Sequence, residues 1–300
     1  MVWGTTPFSI KAGLNEGWNR DPLWFSGIRL LLAAVVISPV LLTPFSGQPL
    51  GRAGRRAVLP MGVFGIALNF GVSVWGQQYV GAALASLIAG TQPLSTTLIA
   101  RYATHRPITA RFALSLVLGL AGVVAVLGGD AGASGMAVWG GVAIFGGCTV
   151  YGAIFVYIGQ RIGGLNIVRV VALQNLIGGL LVAAAALALE GTPTLPRAGH
   201  AFLALGYLVV VSSIVALVLA VRLIGVLGAA RFSLMSFVTP IIGVTASILW
   251  LNESLTVGVV VGTGLVAVSL ALSLRPALNE PVPVAASDGV TVELTRRPQS

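Results

Sequence analysis

The stretch ALASLIAGTQPLSTTLIA, residues 83–100, interrupts an apolar run with Gly90, Thr91, Gln92 and Pro93. Proline removes a backbone donor and clashes with the preceding turn, so the stretch predicts either a boundary between two helices or one kinked helix. A boundary would leave two pieces of roughly ten residues, whereas crossing a bilayer takes about 20. We therefore expect one membrane helix that is kinked at Pro93.

The composition indicates a membrane protein. The 300 residues are 56% hydrophobic and 8% charged, whereas soluble domains carry about 25% charged residues. The net charge of +9 is spread over short loops, so we expect no nucleic-acid partner. Cys148 is the only cysteine, which excludes an intrachain disulfide and a cysteine metal cage. We expect an all-α polytopic protein without cofactors.

Apolar runs separated by polar loops predict ten membrane segments, of which the first is too short to span. The segments are 1–14, 22–42, 57–76, 81–102, 108–128, 136–157, 166–189, 200–221, 228–251 and 254–275. Residues 276–300 mix proline, small and charged residues and are expected to form a disordered tail.

The basic residues concentrate on the even-numbered loops between these segments. They are Arg52, Arg55, Arg56, Arg101, Arg106, Arg111, Arg161, Arg169, Arg222 and Arg231. The odd-numbered loops hold most of the acids instead, such as Glu16, Asp21 and Glu190. Because positively charged loops stay in the cytoplasm, we expect both termini to be cytoplasmic. Sixteen arginines against the single Lys11 hint at a GC-rich bacterial genome, which would place the chain in a bacterial inner membrane.

The two halves of the chain resemble each other at an offset of 147 residues. Residues 81–109 align on 228–256 without a gap, and Pro93 falls on Pro240. Five segments per unit is an odd number, so the units, 1–128 and 136–275, would insert with opposite topology. Two inverted five-helix repeats are typical of secondary transporters, which bind substrate near the midplane between the repeats.

The same comparison bears on the first segment. Its partner starts near Met136, so at an offset of 148 the first helix would begin about a dozen residues before Met1. We expect a first helix that is truncated at its N-terminus. A short re-entrant or interfacial N-terminus is the alternative.

Several stretches resemble the ten-helix EamA-type transporters of the drug/metabolite transporter superfamily. They are VWGTTPFSIKAGL (2–14), FSGIRLLLAA (25–34), LNFGVSVWGQQYVGAALASLIAGTQPL (68–94) and RLIGVLGAARFSLMSFVTPIIGVTASILWLNESL (222–255). The chain departs from the family at His105-Arg106, where a Gly-Glu pair is common. The resemblance implies export of metabolites or amino acids, and it does not select the substrate.

Ionisable groups are scarce inside the segments. No Asp or Glu lies within any of them, and His105 and His200 lie at their ends. No catalytic or metal-binding set can be assembled, so we expect no enzyme activity. A proton relay through the core is also excluded, which favours facilitated or exchange transport, or coupling through a surface group such as Glu253.

Arg29 is the one charge well inside a segment, roughly 10 Å deep at 1.5 Å per residue. It either extends outward to water or bonds carbonyls at a helix end, or it attracts an anionic group such as a substrate carboxylate. Its counterpart in the second repeat is the neutral Gln174.

Uncharged polar side chains are further candidates to line a substrate cavity. With Arg29, the set is Asn69, Trp75, Gln77, Tyr79, Thr91, Gln92, Tyr151, Gln174, Asn175, Ser236 and Thr239. The alternative is that they join helices through hydrogen bonds of about 0.6 kcal/mol each, or that Trp75 and Tyr79 belong to an interfacial aromatic belt. Pro93 and Pro240 are expected to be paired kinks beside this cavity.

The sequence thus favours a secondary transporter of small, amino-acid-like metabolites, an exporter or exchanger working by alternating access. A channel or a non-transporting membrane scaffold is the alternative. The Gly258–Gly262 pair has the GxxxG spacing that often forms a dimer face, so a homodimer is open.

Overall fold

The computed structural model describes residues 2–42, 50–105, 107–129, 135–196, 199–233, 238–251 and 256–278. Within these ranges the chain is helical and contains no strand. The expected disordered tail lies outside them, apart from its first three residues, which continue the last helix.

The described helices are grouped here along the predicted spans, and most of their bounds lie within a few residues of the predicted ones. They are α1 (Val2–Gly13), α2 (Pro22–Ile37), α3 (Arg52–Gln77), α4 (Ala82–Ala103), α5 (Ala110–Gly129), α6 (Gly135–Arg161), α7 (Ile167–Leu189), α8 (Gly199–Leu227), α9 (Val238–Leu251) and α10 (Val257–Leu278). Short extensions are the π-helical Leu14–Trp18, the 3₁₀-helical Ser38–Leu42 and a one-turn helix, Ala229–Ser233.

The described residues include six helices that are long and apolar enough to cross a membrane: α2 with its extension, α3, α4, α6, α7 and α8. Shorter apolar stretches occur in α5, α9 and α10. A soluble protein cannot expose this much apolar helix to water, so the architecture is that of a polytopic membrane protein.

The opening stretch forms α4, which is interrupted at a single residue. Ala82–Gly90 and Gln92–Ala103 are regular, and Thr91 lies between them. The Thr91 N–H donates to Ile88 at 3.0 Å and the Leu94 N–H donates to Thr91 at 2.9 Å, both three residues back. Pro93 lies in the first turn after the break, where its missing N–H costs least. The break is therefore local, and both pieces remain in one 22-residue apolar helix.

Two helices contain eight-residue π-helical stretches that the sequence does not predict. They are Met61–Leu68 in α3 and Leu208–Val215 in α8. Pro60 precedes the first and lacks an N–H, which disturbs the α-helical bonding pattern at that point. The two stretches start 147 residues apart.

Glycines bring α5 and α10 into close contact. A Cβ on Gly122 would lie 2.8 Å from the Gly262 carbonyl oxygen, and a Cβ on Gly262 would lie 2.6 Å from that of Gly122. The Ser269 hydroxyl donates to the Ser115 carbonyl at 2.5 Å. Gly262 therefore packs within the chain, and a homodimer would need a surface other than the Gly258–Gly262 pair.

The remaining helices form the centre. α7 packs against α2 and the middle of α3, α6 packs against α3 and the second piece of α4, and α1 packs against α8 and α9. The first piece of α4 crosses α9, where a Cβ on Gly90 would lie 2.3 Å from Pro240 Cγ. The largest cluster of buried hydrophobic residues lies among α2, α3, α6, α7 and α8. Arg29 is on α2 within this centre.

Candidate functional site

The Arg29 side chain is 0% exposed to solvent. Its Nε and both Nη atoms are buried without a hydrogen-bond acceptor among the described residues. The guanidinium carbon lies 4.5 Å from the centre of the Phe70 ring, an arrangement that stabilises a cation by roughly 0.5–2 kcal/mol. Arg29 therefore neither reaches water nor bonds a carbonyl in this structure, which are the two structural roles that the sequence left open for it.

Aromatic rings continue from Arg29 along α6. The Phe70 and Tyr151 ring centroids are 6.0 Å apart, Tyr151 and Phe155 are 4.6 Å apart, and Phe155 meets Phe232 of the one-turn helix at 5.2 Å. All four rings are buried, so a buried aromatic line runs from the cation towards the end of the protein where α6 terminates.

Asn69 and Ser26 lie next to these groups along the chain. Asn69 is buried, and its Oδ1 would lie 3.2 Å from a Cβ on Gly147 of α6. Ser26, one turn before Arg29 on α2, is fully buried, and its hydroxyl has no partner among the described residues. The structure thus brings Arg29, Asn69 and Tyr151 of the predicted set to one region.

Asn175 joins two helices. Its Nδ2 donates to the carbonyls of Val171 at 2.9 Å and of Ser213 at 3.1 Å, which links α7 to α8, while its Oδ1 has no donor among the described residues. Gln174 is buried, and its backbone carbonyl lies 3.3 Å from where a Cβ on Gly62 would be. Asn175 therefore has the helix-joining geometry of the alternative interpretation.

The polar groups at the α4 break are also buried. The Thr91 hydroxyl donates to Ile88 at 2.7 Å, and the Nε2 of Gln92 has no acceptor among the described residues. Thr91 lines a cavity of about 240 Å³ between α4, α5 and α6. The Ser95 and Thr149 hydroxyls, 3.3 Å apart, lie at the same cavity.

Trp75 and Tyr79 lie apart from this centre. Their rings meet edge to face at 5.2 Å, and Tyr79 is exposed. Trp75 lines an apolar groove of about 480 Å³ on α3 and α7. Both positions agree with the aromatic-belt alternative. Gln77 is buried near them, and its Oε1 has no donor within the described part.

The predicted second kink is described only in part. Thr239 and Pro240 are buried near the start of α9, and Pro240 packs against Gly90 beside the α4 break. Ser236 lies outside the described residues, as does Glu253. The Pro240 ring and the α4 break therefore meet, while residues 234–237 before α9 lie outside the described part of the chain.

Acidic groups join α2 to the loop after α7 at one end of the protein. The two carboxylate oxygens of Glu190 accept the N–H groups of Leu23 at 2.8 Å and Trp24 at 3.0 Å. Asp21 accepts the N–H of Thr194 at 2.9 Å. Burial raises the pKa of Glu190, the two N–H donors act against that rise, and the nearby Asp21 adds to it. We call Asp21, Glu190 and Thr194 the end cluster.

Lys11 is placed at the same end. Its Nζ donates to the carbonyls of Gln77 at 3.0 Å and Gln78 at 3.3 Å, at the C-terminus of α3, where a cation is favoured. Across the described ranges, no three His, Cys, Asp or Glu side chains come close enough to hold a metal ion.

Sequence reasoning missed Phe70, Phe155, Ser26 and the end cluster. The spacing of Ser26 and Arg29 places them on one helix face and could have pointed to the serine. An apolar phenylalanine gives no such signal in a chain this hydrophobic. In the end cluster, Asp21 and Thr194 are 173 positions apart, which no local pattern reveals.

Comparisons with known proteins identify the family of the chain. A model of the EamA-like transporter family matches residues 1–128 and 138–275. The chain is 29% identical over 296 residues to the uncharacterized inner membrane transporter YedA of Escherichia coli K12, covering 95% of this chain and 92% of YedA. YedA of strain O157:H7 matches equally.

The fold has a counterpart among solved structures. One crystal structure covers 92% of this chain and 96% of its own, with a TM-score of 0.65 and 17% sequence identity, which shows a shared fold. The family match spans nearly the whole chain and the relatives are membrane transporters, which confirms the family resemblance of the quoted stretches. The chain belongs to the EamA-like transporter family of the drug/metabolite transporter superfamily.

Proposed function

We propose that this protein is a secondary transporter that exports or exchanges small, amino-acid-like metabolites by alternating access. Ten membrane helices form two inverted five-helix repeats, residues 1–128 and 136–275, with both termini in the cytoplasm. The substrate binds between the repeats, in the region of Arg29 and the polar groups around it.

Structural pairs at one constant offset support the repeat. The π-helical stretches of α3 and α8 are equally long and start 147 residues apart. The contacts of α5 with α10 repeat at the same offset, because Ser115 corresponds to Gly262 and Gly122 to Ser269. The Ser115–Ser269 and Gly122–Gly262 contacts are then two copies of one contact, as a two-fold axis between α5 and α10 would produce.

The single observation that supports a binding site is the buried Arg29 cation without a hydrogen-bond acceptor among the described residues. An ionisable residue within a membrane segment is expensive and usually functional, and removing one partner of a buried ion pair typically costs 3–5 kcal/mol. Arg29 bears such a charge, and its nitrogens have no hydrogen-bond acceptor among the described residues, where the Phe70 ring lies against it. A substrate anion that completes its hydrogen bonds would offset that cost and would bind specifically.

Counterflow into preloaded liposomes tests the function directly. The purified protein is reconstituted into liposomes loaded with unlabelled amino acids, nucleosides or quaternary amines, and uptake of the labelled compound is followed. We expect saturable counterflow with amino-acid-like compounds and none with the amines. Uptake that rises linearly with concentration would indicate a channel instead, and no uptake of any compound would indicate a scaffold.

The same liposomes test the coupling mechanism. Because no acid lies inside a predicted segment, counterflow should proceed without an imposed pH gradient. A strict requirement for a gradient would contradict exchange and would point to a proton-carrying group outside the segments.

A further inference from the structure

The geometry of the Arg29 guanidinium determines the charge and shape of the ligand group that it can bind. A guanidinium is planar and presents a fork of donors that matches two oxygens in one plane. All three nitrogens of Arg29 are buried without an acceptor in the described part of the chain. A carboxylate supplies two such oxygens and one negative charge, which balances one arginine. Phosphate carries up to two charges and would leave one uncompensated.

Aromatic rings make up much of the surroundings of the cation. Phe70 covers one face of the guanidinium at 4.5 Å, and Tyr151 and Phe155 continue from it with ring centroids 6.0 and 4.6 Å apart. Flat aromatic faces favour an apolar or aromatic body by stacking. The body joined to the carboxylate is therefore expected to be hydrophobic.

In the described part of the chain, no carboxylate lies beside Arg29 to pair with an ammonium group. In an amino acid the ammonium group is one carbon from the carboxylate, so it would lie within a few ångströms of the Arg29 guanidinium, and like charges repel. No Asp or Glu lies inside a predicted segment. At the end of α7, the Glu190 carboxylate already accepts two backbone N–H groups.

We infer that Arg29 recognises the carboxylate of an organic acid with an apolar body, and that an amino group takes no part in recognition. This inference rests on the proposed transport function and, among its amino-acid-like substrates, favours acids that lack the amino group. A deaminated acid then binds more tightly than the amino acid of the same skeleton, and the corresponding amine does not bind.

Three compounds with one skeleton test this: 3-phenylpropanoate, phenylalanine and 2-phenylethylamine. Each is offered as a competitor of counterflow, and each is also added to the detergent-solubilised protein to measure its thermal stabilisation, which needs no transport. We expect 3-phenylpropanoate to bind at least about tenfold more tightly than phenylalanine, a difference within the range of one charge interaction, and the amine to have no effect. Tighter binding of phenylalanine or of the amine would overturn the inference.

Variants tie the effect to Arg29. Arg29→Gln should weaken 3-phenylpropanoate at least about tenfold, and Arg29→Lys, which keeps the charge but not the fork, should weaken it partly. The matched control is Arg161→Gln, because Arg161 also lies over a ring, that of Tyr157 at 5.9 Å, but is exposed. Unchanged affinity in a folded Arg29→Gln protein would overturn the inference.

Different results would contradict the transport function and the carboxylate inference. If other metabolites exchange saturably while 3-phenylpropanoate neither competes nor stabilises, the transport function stands and the carboxylate inference falls. If no metabolite exchanges at all, the transport function itself falls.

Discussion

The Oε2 atom of Glu190, at the end of α7, accepts the backbone N–H of Trp24 in the first turn of α2 at 3.0 Å. The Trp24 indole in turn donates to the carbonyl of Gly191 at 2.7 Å. A carboxylate from one half of the chain thus caps a helix of the other half, and that helix carries Arg29 about one and a half turns further on.

Removal of this cap should loosen the end of α2. Glu190→Ala leaves the N–H groups of Leu23 and Trp24 without their acceptor, and loss of a helix cap costs about 1–2 kcal/mol. We expect the thermal midpoint in detergent to fall by a few degrees. Glu16→Ala is the control, because Glu16 is an exposed carboxylate in the preceding π-helical extension of α1. Equal midpoints for the two variants would show that the cap contributes nothing.

The same residue predicts a pH dependence. Burial raises the pKa of Glu190, so the folded protein binds a proton at a higher pH than the unfolded chain, where a glutamate titrates near 4.3. The stabilising contribution is complete below that unfolded pKa and is lost as the pH rises through the folded pKa. Thermal midpoints of the wild type should fall across this window, and those of Glu190→Gln should fall less. Parallel pH profiles of the two proteins would contradict this assignment.

The prolines at the α4 break should matter for transport more than for insertion. Pro93→Ala lets the second piece of α4 continue the first, and Pro240→Ala removes the ring that packs on Gly90. We expect transport to slow roughly tenfold, which needs a barrier change of only about 1.4 kcal/mol, at unchanged amounts in the membrane. Pro39→Ala, at an exposed proline in the extension of α2, is the control. Wild-type flux in both test variants would reject the role of the kinks.

Glycine contacts between α5 and α10 should be sensitive to one added side chain. Gly262→Val places a Cβ 2.6 Å from a backbone oxygen of Gly122, and overpacking costs about 1–3 kcal/mol. Gly264→Val has open space around its Cβ and serves as the control. We expect only Gly262→Val to lower the thermal midpoint, with the same oligomeric state by light scattering in both. A change of oligomeric state in Gly262→Val would indicate that Gly262 lies at a dimer interface.

The orientation in the membrane can be read by cysteine labelling. In a Cys148→Ala background, Thr192→Cys in the loop after α7 should react with an impermeant maleimide in intact cells. Gly163→Cys in the loop after α6, where a side chain meets open space, should react only after permeabilisation. The opposite pattern would invert the predicted topology.

Much of the fold could be predicted because its signals are local. Apolar runs and the polar loops between them predicted most helix bounds to within a few residues, and Pro93 marked the break in α4. The site could be predicted only in part. A lone arginine in an apolar segment identified Arg29, but its neighbour Phe70 is one of many hydrophobic residues.

Other features depend on packing between distant residues. The end cluster pairs α2 with the loop after α7, and the glycines of α5 find their partners in α10. The sequence around these residues contains no pattern that predicts which distant residue each of them contacts. The sequence also left two positions open for Trp75 and Tyr79, because polar aromatic residues are equally suited to a cavity and to the membrane interface.

The π-helical stretch of α3 also sets the direction in which Phe70 points. Each residue added to or removed from a helix rotates every later side chain by about 100°. The π-helical stretch, residues 61–68, ends less than one turn before Phe70. Shortening this stretch by one residue to a regular α-helix would turn the ring away from Arg29 and leave the cation without its aromatic cover. The irregular backbone bonding of α3 is therefore a condition for the angular register of the site.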